Sequence, residues 1–309
     1  MQSNRGLRTA VAMAAKAFVG SGIILGLSGC GTEKSPVVVS VPAVSPLNGN
    51  WWITGDLPAI PANLQTEKFG LAATIDVVED TIYASGSSFY PCTNSGDGGG
   101  LGMAPADLGS DGTFTLQTAT GTIQPTVQVN ITGKAPAAAG QSWTGSFSAT
   151  NSNAGCSPVA GSFTATPIAS FSGTFQGTGS MAPAGTSLEP IDPSLEKQVT
   201  FTVNLTQGGS SSLDAQQLVR IVNSVNALTA TISVTGLPCF TSGTTGTNRS
   251  GLGGNTFALD FTMDDGSTLH LVGYATEPAV ASVTIGIATV RGGTCDNWAG
   301  IGKTTLTRK

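Results

Sequence analysis

The sequence predicts an all-β protein with two tandem homologous antiparallel domains, each a β-barrel or a β-sandwich, and one short helix inserted in the second. Three observations predict this fold class. Apolar and polar residues alternate along many short segments, a set of landmarks occurs twice in the same order, and four cysteines take matching places in the two copies. Alternation with period 2 is typical of a strand that buries one face and exposes the other.

Alternating segments occur in both halves of the chain. In the first half, the residues expected to face the core are Ala73, Ile75, Val77, Phe114, Leu116, Val127, Val129, Ile131, Trp143 and Phe147. In the second half they include Val199, Phe201, Val203, Leu205, Leu228, Ala230, Ile232 and Val234. Each half therefore holds about six or seven strands, enough for one β-domain with its own core. Consecutive antiparallel strands favour an up-and-down barrel or a sandwich.

An internal repeat defines the two copies. Leu47-Asn48-Gly49-Asn50-Trp51 aligns with Phe171-Ser172-Gly173-Thr174-Phe175, Pro91-Cys92 aligns with Pro238-Cys239, and Cys156 before Ala160-Gly161 aligns with Cys295 before Ala299-Gly300. The landmarks keep their order but not their separations, so the copies differ by insertions. We expect one β-domain over residues 47–168 and another over residues 169–309.

One insertion in the second copy departs from the strand pattern. Ser212 is a candidate N-cap, and apolar residues then recur at helical spacing: Leu218, Ile221, Val222, Val225 and Leu228. We expect one amphipathic helix over residues 213–228 that packs on the second domain. A partner-binding helix is the alternative.

The N-terminus contains an export signal. Arg5, Arg8 and Lys16 precede an apolar run over residues 17–27, which is too short to cross a bilayer because a spanning helix needs about 20 apolar residues. The run ends in Leu27-Ser28-Gly29-Cys30, which resembles the cleavage box of bacterial lipoproteins. The resemblance implies removal of residues 1–29 and a diacylglyceryl group on the Cys30 sulfur, which anchors the chain in a membrane. An ordinary secretory signal or a transmembrane anchor is the alternative.

The residue after Cys30 indicates which membrane holds the anchor, and the segment that follows connects the anchor to the β-domains. Gly31 in place of Asp favours the outer membrane under the sorting rule of Gram-negative lipoproteins. Residues 30–46 contain three prolines and predict an extended tether. The competing interpretation makes Val37-Val38-Val39 a buried edge strand.

With Cys30 assigned to lipid, four cysteines remain, and they allow three pairings. The repeat favours Cys92 with Cys156 and Cys239 with Cys295, because only this pairing closes each copy on itself in the same way. A four-cysteine zinc site is the alternative, although no Cys-x-x-Cys spacing occurs. We therefore predict two disulfides and no metal or cofactor.

The charge balance excludes one class of partner. The export signal contains three of the 13 basic residues and none of the 18 acidic ones, so the mature chain has a net charge of about −8. Phosphate binding needs several clustered cations, and this sequence has no such cluster. We expect no nucleic acid as a partner.

A short motif suggests a ligand-holding barrel. Gly49-Asn50-Trp51 resembles the Gly-x-Trp of the first strand in lipocalins and avidin-like proteins, and Gly173-Thr174-Phe175 takes its place in the second copy. The Thr-Asp-Tyr signature of lipocalins is missing, and no basic partner for the Trp can be assigned. The resemblance implies a barrel that holds a small apolar molecule, possible lining residues being Trp51, Phe175, Phe261 and His270. The alternative is that the aromatic residues only fill the core.

His270 is the single histidine, so a Ser-His-Asp or Cys-His site must include it. If Asp265-Gly266 is a two-residue turn, Asp264 pairs with Ser267, and His270 lies opposite Phe261 on the apolar face of its strand. We expect a core histidine with one hydrogen bond. Asp260 and Asp264 share the other face and could support a cation, although solvated carboxylates are the favoured interpretation.

These observations do not define a catalytic site. The sequence predicts a lipid-anchored cell-envelope protein with a structural or interaction role, whose partner is an envelope protein. A carrier of a small apolar ligand is the second hypothesis, and a hydrolase that uses His270 is the third.

Overall fold

The computed structural model describes residues 45–57, 68–88, 90, 101–119, 127–151, 158–184, 193–208, 227–245 and 251–309. Several predictions lie outside these ranges, namely the cleavage box with Cys30, the tether up to residue 44, Cys92, Cys156 and the helix over residues 213–226. Leu228, the last residue of the helix prediction, instead begins a strand. Among the described residues, no helix has the length and apolar character needed to cross a membrane.

The first sheet has nine strands. They are β1 (Gly49–Asp56), β2 (Lys68–Val78), β3 (Thr81–Ser88), β4 (Leu101–Gly102), β5 (Ala106–Asp107), β6 (Thr113–Gln117), β7 (Val127–Lys134), β8 (Trp143–Asn151) and β9 (Val159–Pro167). Their order is β4-β3-β2-β1-β9-β8-β7-β6, and β5 also pairs with β3. The sheet curls into a half-barrel. Outside its strands, one isolated bridge joins Met103, which follows β4, to Thr118, which follows β6.

The second sheet has ten strands and closes on itself. They are β10 (Gly173–Pro183), β11 (Lys197–Gln207), β12 (Leu228–Thr235), β13 (Ser242–Thr245), β14 (Gly251–Gly253), β15 (Thr256–Met263), β16 (Thr268–Ala275), β17 (Ser282–Arg291), β18 (Trp298–Ile301) and β19 (Thr304–Arg308). A single 3-10 turn, Pro193–Leu195, precedes β11 among the described residues. Strand β10 pairs with β11 on one side and with β18 and β19 on the other. Strands β18 and β19 share one position, and β13 and β14 share another beside β15, so this is a closed barrel of eight positions.

The all-β fold class is confirmed, and its cause is the predicted alternation. In β12, Leu228, Ala230, Ile232 and Val234 are buried while every residue between them is exposed. Each sheet encloses its own apolar core. The repeat landmarks also take equivalent places: Gly49 and Gly173 begin the first strand of each sheet, and the two Ala-Gly pairs lie in β9 and β18, next to β1 and β10.

The two sheets contact each other through the tight β14–β15 turn. The Gly254 amide donates to Thr74 Oγ1 at 2.7 Å, and that hydroxyl donates to Asn50 Oδ1 at 2.7 Å. Next to it, Ser87 Oγ donates to Asn255 Oδ1 at 2.6 Å. Thr74 is 1% exposed and Asn255 is 7% exposed. These polar groups are buried but paired, and buried polar groups stabilise a structure only when they are paired.

Candidate functional site

One end of the second barrel is closed by a disulfide. Cys239, between β12 and β13, bonds to Cys295, between β17 and β18, with a Cα–Cα distance of 5.8 Å. The predicted pairing is therefore confirmed in the second copy. The matching Cys92–Cys156 pair and the lipid on Cys30 stay predictions, because all three residues lie outside the described ranges.

Three of the four residues expected to line a ligand site are fully buried in the cores. Trp51 is 1% exposed in the first core, and Phe175 and Phe261 have no exposure in the second. Trp51 makes an edge contact with Trp143 at 5.8 Å between ring centroids, and its Nε1 donates to Leu47 O at 2.8 Å. An open groove of about 450 Å³ lies elsewhere, against Ile168 and Pro278.

A basic residue covers the aromatic ring of the second Gly-x-aromatic motif. The Arg308 guanidinium carbon lies 4.7 Å from the centroid of the Phe175 ring. Its nitrogens donate to the carbonyl oxygens of Ser170, Ser172 and Val280 at 2.8, 2.5 and 3.1 Å. Gly173 is needed here, because its φ is 139° and a Cβ would lie 2.7 Å from Arg308 Nη1. The sequence alone does not indicate this contact, because the arginine lies at the other end of the copy and only barrel closure brings the two together.

The prediction for the face of His270 is wrong. His270 pairs with Asp260, and Phe261 pairs with Leu269, so the register is shifted by one residue from the expected one. A one-residue shift moves every side chain of a strand to the opposite face. His270 therefore lies on the outer surface with its side chain 36% exposed, and its Nδ1 is 2.5 Å from Asp260 Oδ1.

Beside this pair lies an apolar stripe that we call the docking face. Ala258, Val272 and Ile287 pair in one row across β15, β16 and β17. Ile287 is 37% exposed, the largest outward aliphatic side chain in this row. Lys303 Nζ donates to the Tyr274 hydroxyl at 3.3 Å and bounds the face on the side away from His270. The apolar docking face is thus bordered by Tyr274 with Lys303 on one side and by the Asp260–His270 pair on the other.

A β-bulge explains why sequence alternation missed Ile287. Val283 and Ile285 are buried, and strict alternation would bury Ile287 with them. The register between β16 and β17 shifts after Val272, so Gly286 is an extra residue and Ile287 turns outward. Bulges redirect side chains in this way, and a glycine inside a strand pattern is the signal that could have indicated it.

Asp260 and Asp264, the two carboxylates considered for a cation, bind different protein groups. Asp264 accepts hydrogen bonds from the backbone and hydroxyl groups of Thr241 and Ser242, the shortest being 2.6 Å from Thr241 Oγ1. These bonds, led by the Thr241 hydroxyl, lower the pKa of Asp264. Asp260 instead faces His270. Within the described ranges, no three His, Cys, Asp or Glu side chains are grouped to hold a metal ion.

Comparisons with known proteins give a remote likeness among solved structures. No family model matches the chain, and no curated protein matches it. Among solved structures, it is similar to a double mutant of the vaccine antigen transferrin binding protein B from Haemophilus parasuis, at 9% identity and a TM-score of 0.22, over 84% of this chain and 59% of that one. The chain thus spans less than two thirds of that protein. Because this TM-score is too low to establish a common fold, the architecture rests on the strand pairing described above.

Proposed function

We propose that this is a lipid-anchored cell-envelope protein with a structural or interaction role, and that its docking face binds an envelope protein. One observation carries the docking part: an exposed aliphatic residue, Ile287, lies in an apolar row flanked by Tyr274 and by the Asp260–His270 pair. Protein interfaces combine an apolar and aromatic centre with a polar rim in the same way. The anchor part rests on the cleavage box at Cys30, the tether over residues 30–46, and the β-domains assigned to residues 47–168 and 169–309.

The anchor is tested by metabolic labelling. Cells that express the protein with Cys30→Ser and are fed a labelled fatty acid should yield an unlabelled product, whereas the wild-type protein should be labelled and fractionate with the outer membrane. A labelled Cys30→Ser protein would refute the assignment.

The docking face is tested by site-specific photocrosslinking in intact cells. A photoreactive residue at Ile287 should give a discrete adduct with one envelope protein, and Val272→Asp should abolish that adduct. The control places the same residue at Ser146, which is exposed on β8 of the first sheet. Equal adducts at both positions, or none at Ile287, would contradict the docking proposal. Release of a small molecule when the intact protein is denatured in a mass spectrometer would favour the carrier hypothesis instead.

A further inference from the structure

The two sides of the docking face carry opposite charges. Along β16, His270 and Tyr274 each lie two residues from Val272, which is about 6.7 Å at the spacing of a strand. The Asp260 carboxylate lies against His270, and the Lys303 ammonium group lies beside the Tyr274 hydroxyl. The apolar row therefore has an acid on one side and a base on the other, next to residues that are equally far from Val272.

Both charged groups lie above the strands, where a partner on the docking face would contact them. Lys303 Nζ is 3.3 Å from the Tyr274 hydroxyl and 5.6 Å from the centroid of the Tyr274 ring. That ring lies over β17, because a Cβ at Gly286 would be 4.0 Å from Tyr274 Cε1. On the other side, the exposed side-chain fractions are 36% for His270 and 21% for Asp260.

These positions match a second copy of the same face. A two-fold axis along the row of Ala258, Val272 and Ile287 makes β16 of one copy antiparallel to β16 of the other. Val272 and Ile287 then contact their own equivalents. The Asp260 side of each copy faces the Lys303 side of the other, so the acid–base contact forms twice, as an isologous interface requires. An axis along the strands would place like charges together, so the charges select the antiparallel arrangement.

The next charged groups along the strands have the same relation. Arg291 pairs with Thr268, in the row after His270. Glu277 follows the end of β16 on the side of Tyr274. Both charged side chains are exposed. The antiparallel arrangement brings the basic Arg291 of one copy toward the end of the other copy that carries the acidic Glu277. Charge complementarity therefore extends beyond the docking face and favours the same orientation.

We propose that the docking face binds a second copy of this chain and forms an antiparallel dimer. The dimer rests on the proposed function, since the second copy is the envelope protein that the docking face binds. Contact between the two apolar rows removes Ile287 from water, and the complementary charges fix the orientation. The proposed lipid anchor keeps the copies in one membrane. This raises their effective concentration, so a small face is sufficient.

The experiment measures photocrosslinking between two differently tagged copies of the full-length protein in one cell. A photoreactive residue at Ile287 of one copy should give an adduct that carries both tags. Asp260→Lys in both copies, or Lys303→Glu in both copies, should lower this adduct about tenfold, because each change puts like charges together at two contacts. When one copy carries Asp260→Lys and the other carries Lys303→Glu, opposite charges meet again at both contacts. The adduct of this mixed pair should return to the wild-type level.

The control is Lys197→Glu, which should leave the adduct unchanged, because Lys197 is exposed on β11, on the opposite side of the barrel from β16. An adduct of Ile287 with a different protein would overturn the dimer and leave the proposed function intact, whereas no adduct at Ile287 would contradict both. The dimer is also overturned if either charge variant in both copies crosslinks like the wild type, or if the mixed pair does not regain the adduct. Because a misfolded variant could not regain it, recovery in the mixed pair also shows that both variants fold.

Discussion

Arg308 shows how one side chain closes one end of the second barrel. Its guanidinium bonds to carbonyl groups before β10 and between β16 and β17, and it covers the Phe175 ring. Arginine suits this position because its planar group offers several donors at fixed angles. In the first sheet, Trp51 pairs with Pro167 where Phe175 pairs with Arg308, so the first copy has no arginine at the equivalent position.

We predict that Arg308→Ala lowers the free energy of unfolding by about 2–4 kcal/mol. The substitution takes the hydrogen-bond donor away from three carbonyl groups and removes a cation–π contact. Arg308→Lys should recover only part of this loss, since an ammonium group cannot reproduce the planar arrangement of donors in the guanidinium group. Urea unfolding measures the change. Arg291→Ala, at an exposed position, is the control and should change stability by no more than about 0.5 kcal/mol. Equal effects of the two alanine variants would show that Arg308 does not clamp the barrel.

Asp264 predicts a pH dependence. Its pKa is lowered in the folded protein by hydrogen bonds from Thr241 and Ser242, which are lost on unfolding. The folded protein therefore holds the proton more weakly than the unfolded chain, and the stability gained is present above the ordinary carboxyl pKa and disappears as the pH falls through and below it. Asp264→Asn should flatten this part of the curve of melting temperature against pH. Glu277→Gln, in an exposed turn, should leave the curve as in the wild type.

At the scale of elements, the strands could be predicted from sequence because alternation and the repeat are local signals. The register of β15 with β16 could not. Asp264, Asp265 and Gly266 form a three-residue connection, in which Met263 N bonds to Ser267 O at 2.9 Å and Gly266 has a φ of 83°. An Asp-Gly pair fits both a two-residue turn and a three-residue turn that ends in a left-handed glycine, so the sequence does not distinguish them. His270 was consequently assigned to the wrong face of its strand, whereas Phe261 lies on the core face and Asp260 on the outer face as predicted.

The disulfide gives a prediction at the same scale. The bond closes a loop with a sequence separation of 56 residues and links the ends of β12 and β17. Removing it should cost up to about 4 kcal/mol, chiefly by releasing entropy in the unfolded chain. The double variant Cys239→Ala, Cys295→Ala isolates this bond from the predicted Cys92–Cys156 pair, and urea unfolding measures its effect. A loss below about 1 kcal/mol would show that strand pairing alone holds this end closed.

At the scale of the whole molecule, residues Ala43–Lys309 form one compact unit although they contain two sheets. The turn at Gly254 explains this. Its φ is 64°, and a Cβ there would lie 2.4 Å from Ala72 O, so only glycine lets the second sheet approach the first so closely. Ala72 also belongs to the core cluster of the second barrel, so apolar burial and the buried hydrogen bonds of Thr74 act together.

We therefore predict that the two sheets unfold together in a single calorimetric transition and that Gly254→Ala splits this transition in two. Gly266→Ala is the matched control, since Gly266 has a φ of 83° and open space around its Cβ. Both variants bear the strain of a left-handed residue, about 1–2 kcal/mol. Only Gly254→Ala also breaks the contact that joins the sheets and should lose about 2–3 kcal/mol more, because the hydrogen bond from the Gly254 amide to the buried Thr74 hydroxyl is lost. Two transitions in the wild-type protein would mean that the two sheets unfold independently and that this contact joins them without coupling their unfolding.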